Sequence, residues 1–187
     1  HLSIRRQRQM CIRDRASEVN GFTDEYLQEH GGEPEEELEF LARAVSMAQA
    51  KNIPLLAYNA PFDIAMLRHD LKHWHLTALE ERATCSIHAL NANDILTVDP
   101  LVIDRAVSRR SGKRTLTITS QFYGVEPIGD FHDATADTVA ALDLIAPMSK
   151  LYESVSCMRL NTMMDWQREA YILSLIHISE PTRRTPI

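Results

Sequence analysis

Apolar residues recur at helical spacing along much of the 187-residue chain, and short apolar runs separate these stretches. Residues 35–51 carry an apolar position every three or four residues behind a run of glutamates, which predicts an amphipathic helix. Residues 16–30 predict a loop and then a short helix with Thr23 as its cap. The run at residues 53–58 is short, apolar and bounded by turn formers, so it favours a buried strand, with a helix at 62–72.

The middle of the chain carries a weaker pattern. Residues 76–99 predict one more helix and a loop, and the apolar triplet at 101–103 predicts a second strand. Residues 108–114 form a basic, polar segment that we interpret as a solvated surface loop, with contact to a phosphate backbone as the alternative. A helix at 115–123 should stop at Gly124.

Two further helices are predicted towards the end of the chain. The first covers 134–146, and Pro147 should end or kink it. Its inward positions are Val139, Leu142 and Ile145. The second covers 151–170, with Trp166 as its largest apolar anchor. Strands that alternate with helices indicate the α/β class.

Composition narrows the class of protein only modestly. Hydrophobic residues make up 44% and charged residues 25%, as in ordinary globular proteins, and the net charge of -6 gives no general attraction to DNA or to anionic membranes. Cys11, Cys85 and Cys157 lie far apart, which argues against a zinc site or a disulfide framework. This cysteine usage favours a reducing, cytoplasmic compartment. No run reaches the length of a membrane span, so we expect no membrane partner.

The two ends have the character of processing scars rather than of folded protein. Back-translation of residues 10–15 and 173–179 gives sequences that resemble the two strands of one transposase mosaic-end adapter used for DNA sequencing libraries. We therefore expect non-native tails at 1–15 and 173–187. The partial native domain, with a helical C-terminal extension, would span 16–172. The alternative interpretation of the two ends is a native basic arm at the start and a frayed tail at the end.

The first candidate site lies where the strand at 53–58 meets the next helix. Ligands of open α/β sheets gather beyond the carboxyl ends of strands, and Asp63 lies there at a helix N-terminus. Taken alone, Asp63 is more readily interpreted as a helix cap than as a ligand. The second candidate is His132 with Asp137, which can converge if the histidine precedes the helix and Asp137 lies in its first turn. Asp133 would then be a cap.

Together these segments resemble the DEDD family of 3′–5′ exonucleases of the His-containing subtype, the group that includes proteins like the epsilon subunit of DNA polymerase III. The matching segments are residues 19–24 (VNGFTD), 59–63 (NAPFD), 102–104 (VID), 112–116 (GKRTL), 123–125 (YGV) and 132–137 (HDATAD). The resemblance implies a ribonuclease H-like α/β fold and a role in DNA replication or proofreading.

By this resemblance, His132 would be the general base, and Asp63 and Asp137 would hold metal ions. The cofactor would be Mg²⁺ or Mn²⁺, two ions in the complete enzyme. Asn59, Ala60 and Phe62 would shape the pocket for the terminal nucleotide. The implied partner is a single-stranded 3′ end, DNA ahead of RNA, and a DNA polymerase subunit is a further candidate.

One family motif has no counterpart here. The family's first motif is Asp-x-Glu on the first strand, and no Asp-x-Glu occurs in the 187 residues. We therefore expect an incomplete fold that lacks the first strands of the sheet, and a segment that is inactive alone. A His-Asp phosphohydrolase is a second hypothesis, which the predicted strand before Asn59 disfavours. A third is a non-catalytic, nuclease-like binding or scaffold module. Asp104 is assigned a structural role.

Overall fold

The computed structural model describes residues 23–82, 95–126 and 134–179. This part of the chain is mostly helical around a small parallel sheet, an arrangement that is broadly α/β. The elements are, in chain order, α1 (Asp24–His30), α2 (Pro34–Ala50), β1 (Leu55–Leu56), α3 (Ala60–His73), α4 (Leu79–Arg82), β2 (Thr97–Val98), α5 (Pro100–Val107), α6 (Leu116–Tyr123), α7 (Ala134–Asp143), α8 (Ile145–Leu151), α9 (Glu153–Ser156) and α10 (Leu160–Ser179).

The sheet consists of β1 and β2, which run parallel with Leu55 opposite Thr97 and Leu56 opposite Val98. Parallel strands need a long crossover, and here the crossover contains α3 and α4. The strand predicted at 53–58 is confirmed in position, although only two residues pair and they are half-buried.

The strand predicted at 101–103 is wrong, because these residues lie in α5. The Asp99 carboxylate accepts a hydrogen bond from the Leu101 N–H at 2.9 Å, and Pro100 occupies the first turn, where its missing N–H costs nothing. This start signal outweighs the apolar triplet. The second strand lies just before it, in a stretch predicted to hold only a helix and a loop.

The helices predicted at 35–51, 62–72 and 115–123 are confirmed as α2, α3 and α6. Thr115 caps α6, and Gly124 ends it with a positive φ of 67°, a conformation that glycine adopts without a Cβ clash. Thr23 caps α1 as predicted, accepting a hydrogen bond from the Tyr26 N–H at 3.2 Å. The buried face of α2 is formed by Ala42, Val45, Ser46 and Gln49, whereas Leu41, one of the apolar positions at helical spacing, is exposed.

Pro147 breaks the helix predicted at 134–146. The proline ring would clash with the carbonyl four residues earlier, at Asp143, and α7 ends at that residue. Leu142 was predicted to face inward and is exposed instead, because the buried face of α7 is made of alanines. The single helix predicted at 151–170 is also wrong: Tyr152 is extended, and the chain forms the short α9 before α10 begins. α10 itself continues to Ser179.

Two apolar clusters form the core. One joins α2 and α3, and the other packs α5, α6, α8 and α9 around Leu144 and Met148, with Trp166 of α10 against it.

Two buried glutamines bond to backbone groups at β2. Gln49 bonds to both polar groups of Leu96, while Gln167 accepts from the Asp99 N–H at 2.7 Å and donates to the Thr97 carbonyl at 3.0 Å. In the part of the chain that the structure describes, no helix is both long and apolar enough to cross a membrane.

Candidate functional site

The segment at 59–63 lies where it was predicted, between the carboxyl end of β1 and the first turn of α3. Asn59 adopts the left-handed conformation, with φ 69° and ψ 46°, which asparagine tolerates better than most residues. Pro61 lies in the first turn, where proline is favoured. The local sequence therefore makes a sharp strand-to-helix turn that presents the following side chains at the edge of the sheet.

A buried carboxylate holds this turn in place. Asp99, with 3% of its surface exposed, accepts hydrogen bonds from the Asn59 and Ala60 N–H groups, both at 3.0 Å. It also caps α5 through the Leu101 N–H. One side chain thus binds the N-termini of two helices, and we call this arrangement the Asp99 clamp. Burial raises the pKa of Asp99, and the hydrogen bonds from backbone N–H groups offset part of that rise.

Sequence reasoning missed Asp99. The Asp-Pro pair after an apolar run is a helix-start signal that was available. Nothing in the sequence indicates that the same carboxylate reaches Asn59 and Ala60, about forty residues earlier, because that contact depends on how β1 and β2 pair.

The predicted site residues on α3 differ in accessibility. Asn59, Phe62 and Asp63 are exposed at the surface of the turn, while Ala60 is buried against the Asp99 carboxylate. Although the Asp63 side chain is exposed, neighbouring atoms remove part of the hydration of its carboxyl and raise its pKa, and a hydrogen bond from its own backbone N–H offsets part of that rise. An exposed carboxylate and an exposed aromatic ring beside a helix N-terminus are suited to an ion or a polar ligand.

The second predicted group is described only in part. Asp137 lies half-exposed in the first turn of α7, as predicted, and α7 packs against α6 and α8. His132 lies outside the described residues, so the convergence of His132 with Asp63 and Asp137 stays a prediction. Across the described ranges, no three His, Cys, Asp or Glu side chains are grouped so that they could hold a metal ion.

A cavity of about 170 Å³ lies beside the Asp99 clamp. α10 forms one wall of it. Its lining residues are Ala60, Pro61, Ile64, Thr97, Asp99, Val102, Met164, Gln167, Arg168 and Tyr171. The volume is below the roughly 300 Å³ at which small-molecule pockets begin. We therefore assign it no ligand.

A second buried carboxylate organises the loop between α5 and α6. Asp104 has none of its surface exposed, and it binds Arg110 and Arg114 at 2.8 Å each and the Tyr123 hydroxyl at 2.9 Å. Burial by itself would raise the pKa of Asp104, but the hydrogen bonds from Arg110 and Tyr123 and the charge of Arg110 outweigh it and lower the pKa. The structural role predicted for Asp104 is consistent with these contacts, although Asp104 lies within a helix rather than after a strand.

Tyr58 connects this loop to the candidate site. Its hydroxyl donates to the Arg114 carbonyl at 2.7 Å and lies 2.7 Å from the Thr119 hydroxyl, while Asn59 is the next residue along the chain. Arg110 also donates to the Thr119 hydroxyl at 2.6 Å. The basic loop and the turn at 59–63 are therefore neighbours that share a hydrogen-bond network.

Comparison of the chain with protein-family models, with curated proteins and with solved structures gives no match. The assignment of a function therefore depends on the residues and their geometry.

Proposed function

We propose that the protein to which this segment belongs is a metal-dependent 3′–5′ exonuclease of the DEDD family, His-containing subtype, with a ribonuclease H-like domain. The observation that carries the proposal is the turn at 59–63. A family-like NAPFD segment lies beyond the carboxyl end of a parallel strand, the usual ligand position in α/β sheets, with Asp63 exposed in the first helical turn.

A second observation supports it. The family-like segment at 132–137 leads into α7, whose first turn carries Asp137. Asp63 and Asp137 offer the hard oxygen donors that Mg²⁺ and Mn²⁺ prefer, and they are two of the four carboxylates that such a site needs. Bound ions would neutralise charge on the scissile phosphate and lower the pKa of the attacking water.

The reaction is the hydrolysis of the terminal phosphodiester. A water oxygen bonds to phosphorus while the bond from phosphorus to the 3′ oxygen of the penultimate nucleotide breaks. His132 takes a proton of the water, and the released 3′ oxygen takes up a proton from solvent to become the new terminal hydroxyl. The products are a 5′-mononucleotide and a strand shortened by one residue. Asn59 and Phe62 would hold the terminal nucleotide, and the Asp99 clamp would fix the backbone of the turn that carries them.

The same proposal covers the cellular setting. We infer a cytoplasmic enzyme that acts on single-stranded 3′ ends, DNA ahead of RNA, either alone or as a proofreading subunit of a DNA polymerase. The alternative is a non-catalytic, nuclease-like binding or scaffold module. An assay of metal-dependent cleavage separates the enzyme from the scaffold module.

The test uses the natural reading frame extended upstream of this segment. We expect it to encode Asp-x-Glu on an apolar strand, and we expect its product to release mononucleotides only with Mg²⁺ or Mn²⁺. His132→Ala, Asp63→Asn and Asp137→Asn should each lower the rate by orders of magnitude. Asp143→Asn, an exposed acid at the far end of α7, is the matched control and should leave the rate unchanged. A wild-type protein that binds DNA without cleaving it would favour the scaffold.

A further inference from the structure

The α5–α6 region has a charge opposite to that of the chain as a whole. The chain carries a net charge of -6, yet residues 105–125 contain no acidic residue. The basic residues of that stretch are Arg105, Arg109, Arg110, Lys113 and Arg114. A local field of this sign attracts an anionic partner even when the whole molecule repels one.

The buried carboxylate below the loop compensates only part of this charge. Asp104 is a single negative charge that binds two guanidinium groups, those of Arg110 and Arg114, whose side chains are only 11% and 19% exposed. One positive charge of this trio has no counterpart within it. Buried charges are costly unless they are paired, so the trio favours an additional anion nearby.

Two more cations of the loop face solvent. Arg109 and Lys113 are exposed, and neither forms an ion pair with a carboxylate of the described ranges. The loop that carries them is held by its own hydrogen bonds. Arg110 donates to the Lys113 carbonyl at 3.2 Å, and Arg114 donates to the Arg110 carbonyl at 2.6 Å. These bonds order the loop before any ligand arrives, which lowers the entropic cost of binding.

An aromatic ring adjoins Arg110, which lies in the same loop as Arg109 and Lys113. Phe122 of α6 is 51% exposed, and the Arg110 guanidinium carbon lies 5.1 Å from the centre of its ring. Proteins bind single-stranded nucleic acid with two components: exposed aromatic rings, on which bases stack, and basic groups, which contact the phosphates. An acidic protein segment would use the cations, whereas a single strand of nucleic acid uses both the cations, through its phosphates, and the ring, through its bases.

We propose that Arg109, Lys113 and Phe122 form a docking surface for single-stranded nucleic acid, which we call the basic surface. Backbone phosphates would bind at Arg109 and Lys113, and a base would stack on Phe122. Because Tyr58 joins this loop to Asn59, the surface would hold the strand upstream of a 3′ end bound at residues 59–63. Only this last point rests on the proposed function.

The test is fluorescence anisotropy of a labelled single-stranded oligonucleotide with the full 187-residue chain in EDTA, so that binding is measured without cleavage. The double variant Arg109→Ala, Lys113→Ala should weaken binding on the order of tenfold at 0.1 M salt. It should also lower the slope of log Kd against log salt by about 1.4, since each lost contact to a single strand contributes about 0.7. The matched control, Lys51→Ala with Lys72→Ala, removes the same charge from exposed positions at the ends of α2 and α3.

The aromatic half of the surface has its own variant. Phe122→Leu keeps an apolar side chain but cannot stack, so binding should fall roughly five- to a hundredfold for a normal oligonucleotide. For an abasic oligonucleotide of the same charge, the wild type and Phe122→Leu should bind equally. A thermal unfolding curve for each variant confirms that it is folded.

Three outcomes would overturn the inference. One is equal binding and an equal salt slope in the Arg109, Lys113 double variant and its lysine control. Another is an effect of Phe122→Leu that is the same with and without bases. The third is preference for an acidic peptide over the oligonucleotide. Failure of the exonuclease proposal is recognised separately, because these arms measure binding in the absence of metal and the exonuclease assay measures cleavage in its presence.

Discussion

Asp99 and Asp104 lie five residues apart, both are buried, and their surroundings shift their pKa values in opposite directions. Asp99 accepts hydrogen bonds from backbone N–H groups, has no cation bound to it among the described residues, and its pKa is raised. Asp104 binds two arginines and a tyrosine hydroxyl, and its pKa is lowered. Burial raises the pKa of both, so the charged partners decide the direction of the net shift.

The difference assigns each carboxylate a separate task. Asp99 joins the N-termini of α3 and α5 and so fixes the turn that carries Asn59 and Asp63. Asp104 anchors the loop that carries Arg109 and Lys113. The Tyr58 hydroxyl links the two regions. The candidate site and the basic surface therefore rest on two neighbouring carboxylates with different electrostatic support.

Asp104→Asn should have the largest effect on stability. It leaves two largely buried guanidinium groups without their carboxylate, and loss of one partner of a buried pair costs about 3–5 kcal/mol. The free energy of unfolding from urea titration measures it. Asp143→Asn, an exposed site, should change it by less than about 0.5 kcal/mol. A loss no larger than that of the control would show that the arginines find water instead.

Asp99→Asn should have a smaller effect, about 1–2 kcal/mol, because the amide keeps one acceptor oxygen for the helix N-termini while its NH₂ group faces an N–H donor. The same urea titration measures it. Asp99→Asn should also loosen the turn at 59–63, so amide exchange at Asn59 and Ala60 should quicken. An unchanged exchange rate at these two amides would contradict the clamp.

The loss in free energy of unfolding caused by Asp104→Asn and by Asp99→Asn should depend on pH in opposite directions. A carboxyl with a lowered folded pKa stabilises the fold above its unfolded pKa, about 3.9, and loses this contribution as the pH falls through the lowered value. The cost of Asp104→Asn should therefore shrink below pH 4. A carboxyl with a raised folded pKa stabilises the fold below about pH 3.9, and this contribution is lost as the pH rises through the raised value. The loss of stability caused by Asp99→Asn should therefore shrink above pH 4. Parallel curves for the two variants would contradict the comparison.

Tyr58→Phe should have the smallest effect. It removes one hydroxyl that bonds to the Arg114 carbonyl and to Thr119, a loss of about 1 kcal/mol. Amide exchange in the loop at 108–114 should quicken while the core helices are unaffected. Uniform acceleration across all helices would show that the hydroxyl supports the whole fold instead of the link between the two regions.

The elements of this fold could be predicted wherever local signals act alone. The cap at Thr23 and the stops at Gly124 and Pro147 depend on neighbouring residues, and the structure confirms all three. The strand at 101–103 failed because a short apolar run fits a buried helix as well as a strand. Here the Asp99–Pro100 start signal decided the outcome.

The candidate site was predictable to a lesser extent. The positions of Asn59 and Asp63 at a strand-to-helix turn, and of Asp137 in a first helical turn, follow from local pattern. The Asp99 clamp and the pairing of Asp104 with Arg110 and Arg114 do not. Asp99 reaches across the sheet, and Asp104 depends on how the loop folds back onto α5.

The most direct test of the central claim is digestion of a 5′-labelled single-stranded oligonucleotide, with Mn²⁺, by two proteins side by side. One is the 187-residue chain, and the other is the product of the upstream-extended reading frame. We predict that the extended protein shortens the strand one nucleotide at a time from its 3′ end, while the shorter chain, which has no Asp-x-Glu, leaves it intact. An extended protein without metal-dependent 3′ shortening would contradict the exonuclease assignment. Shortening by the 187-residue chain that Asp63→Asn abolishes would contradict the requirement for the upstream acids.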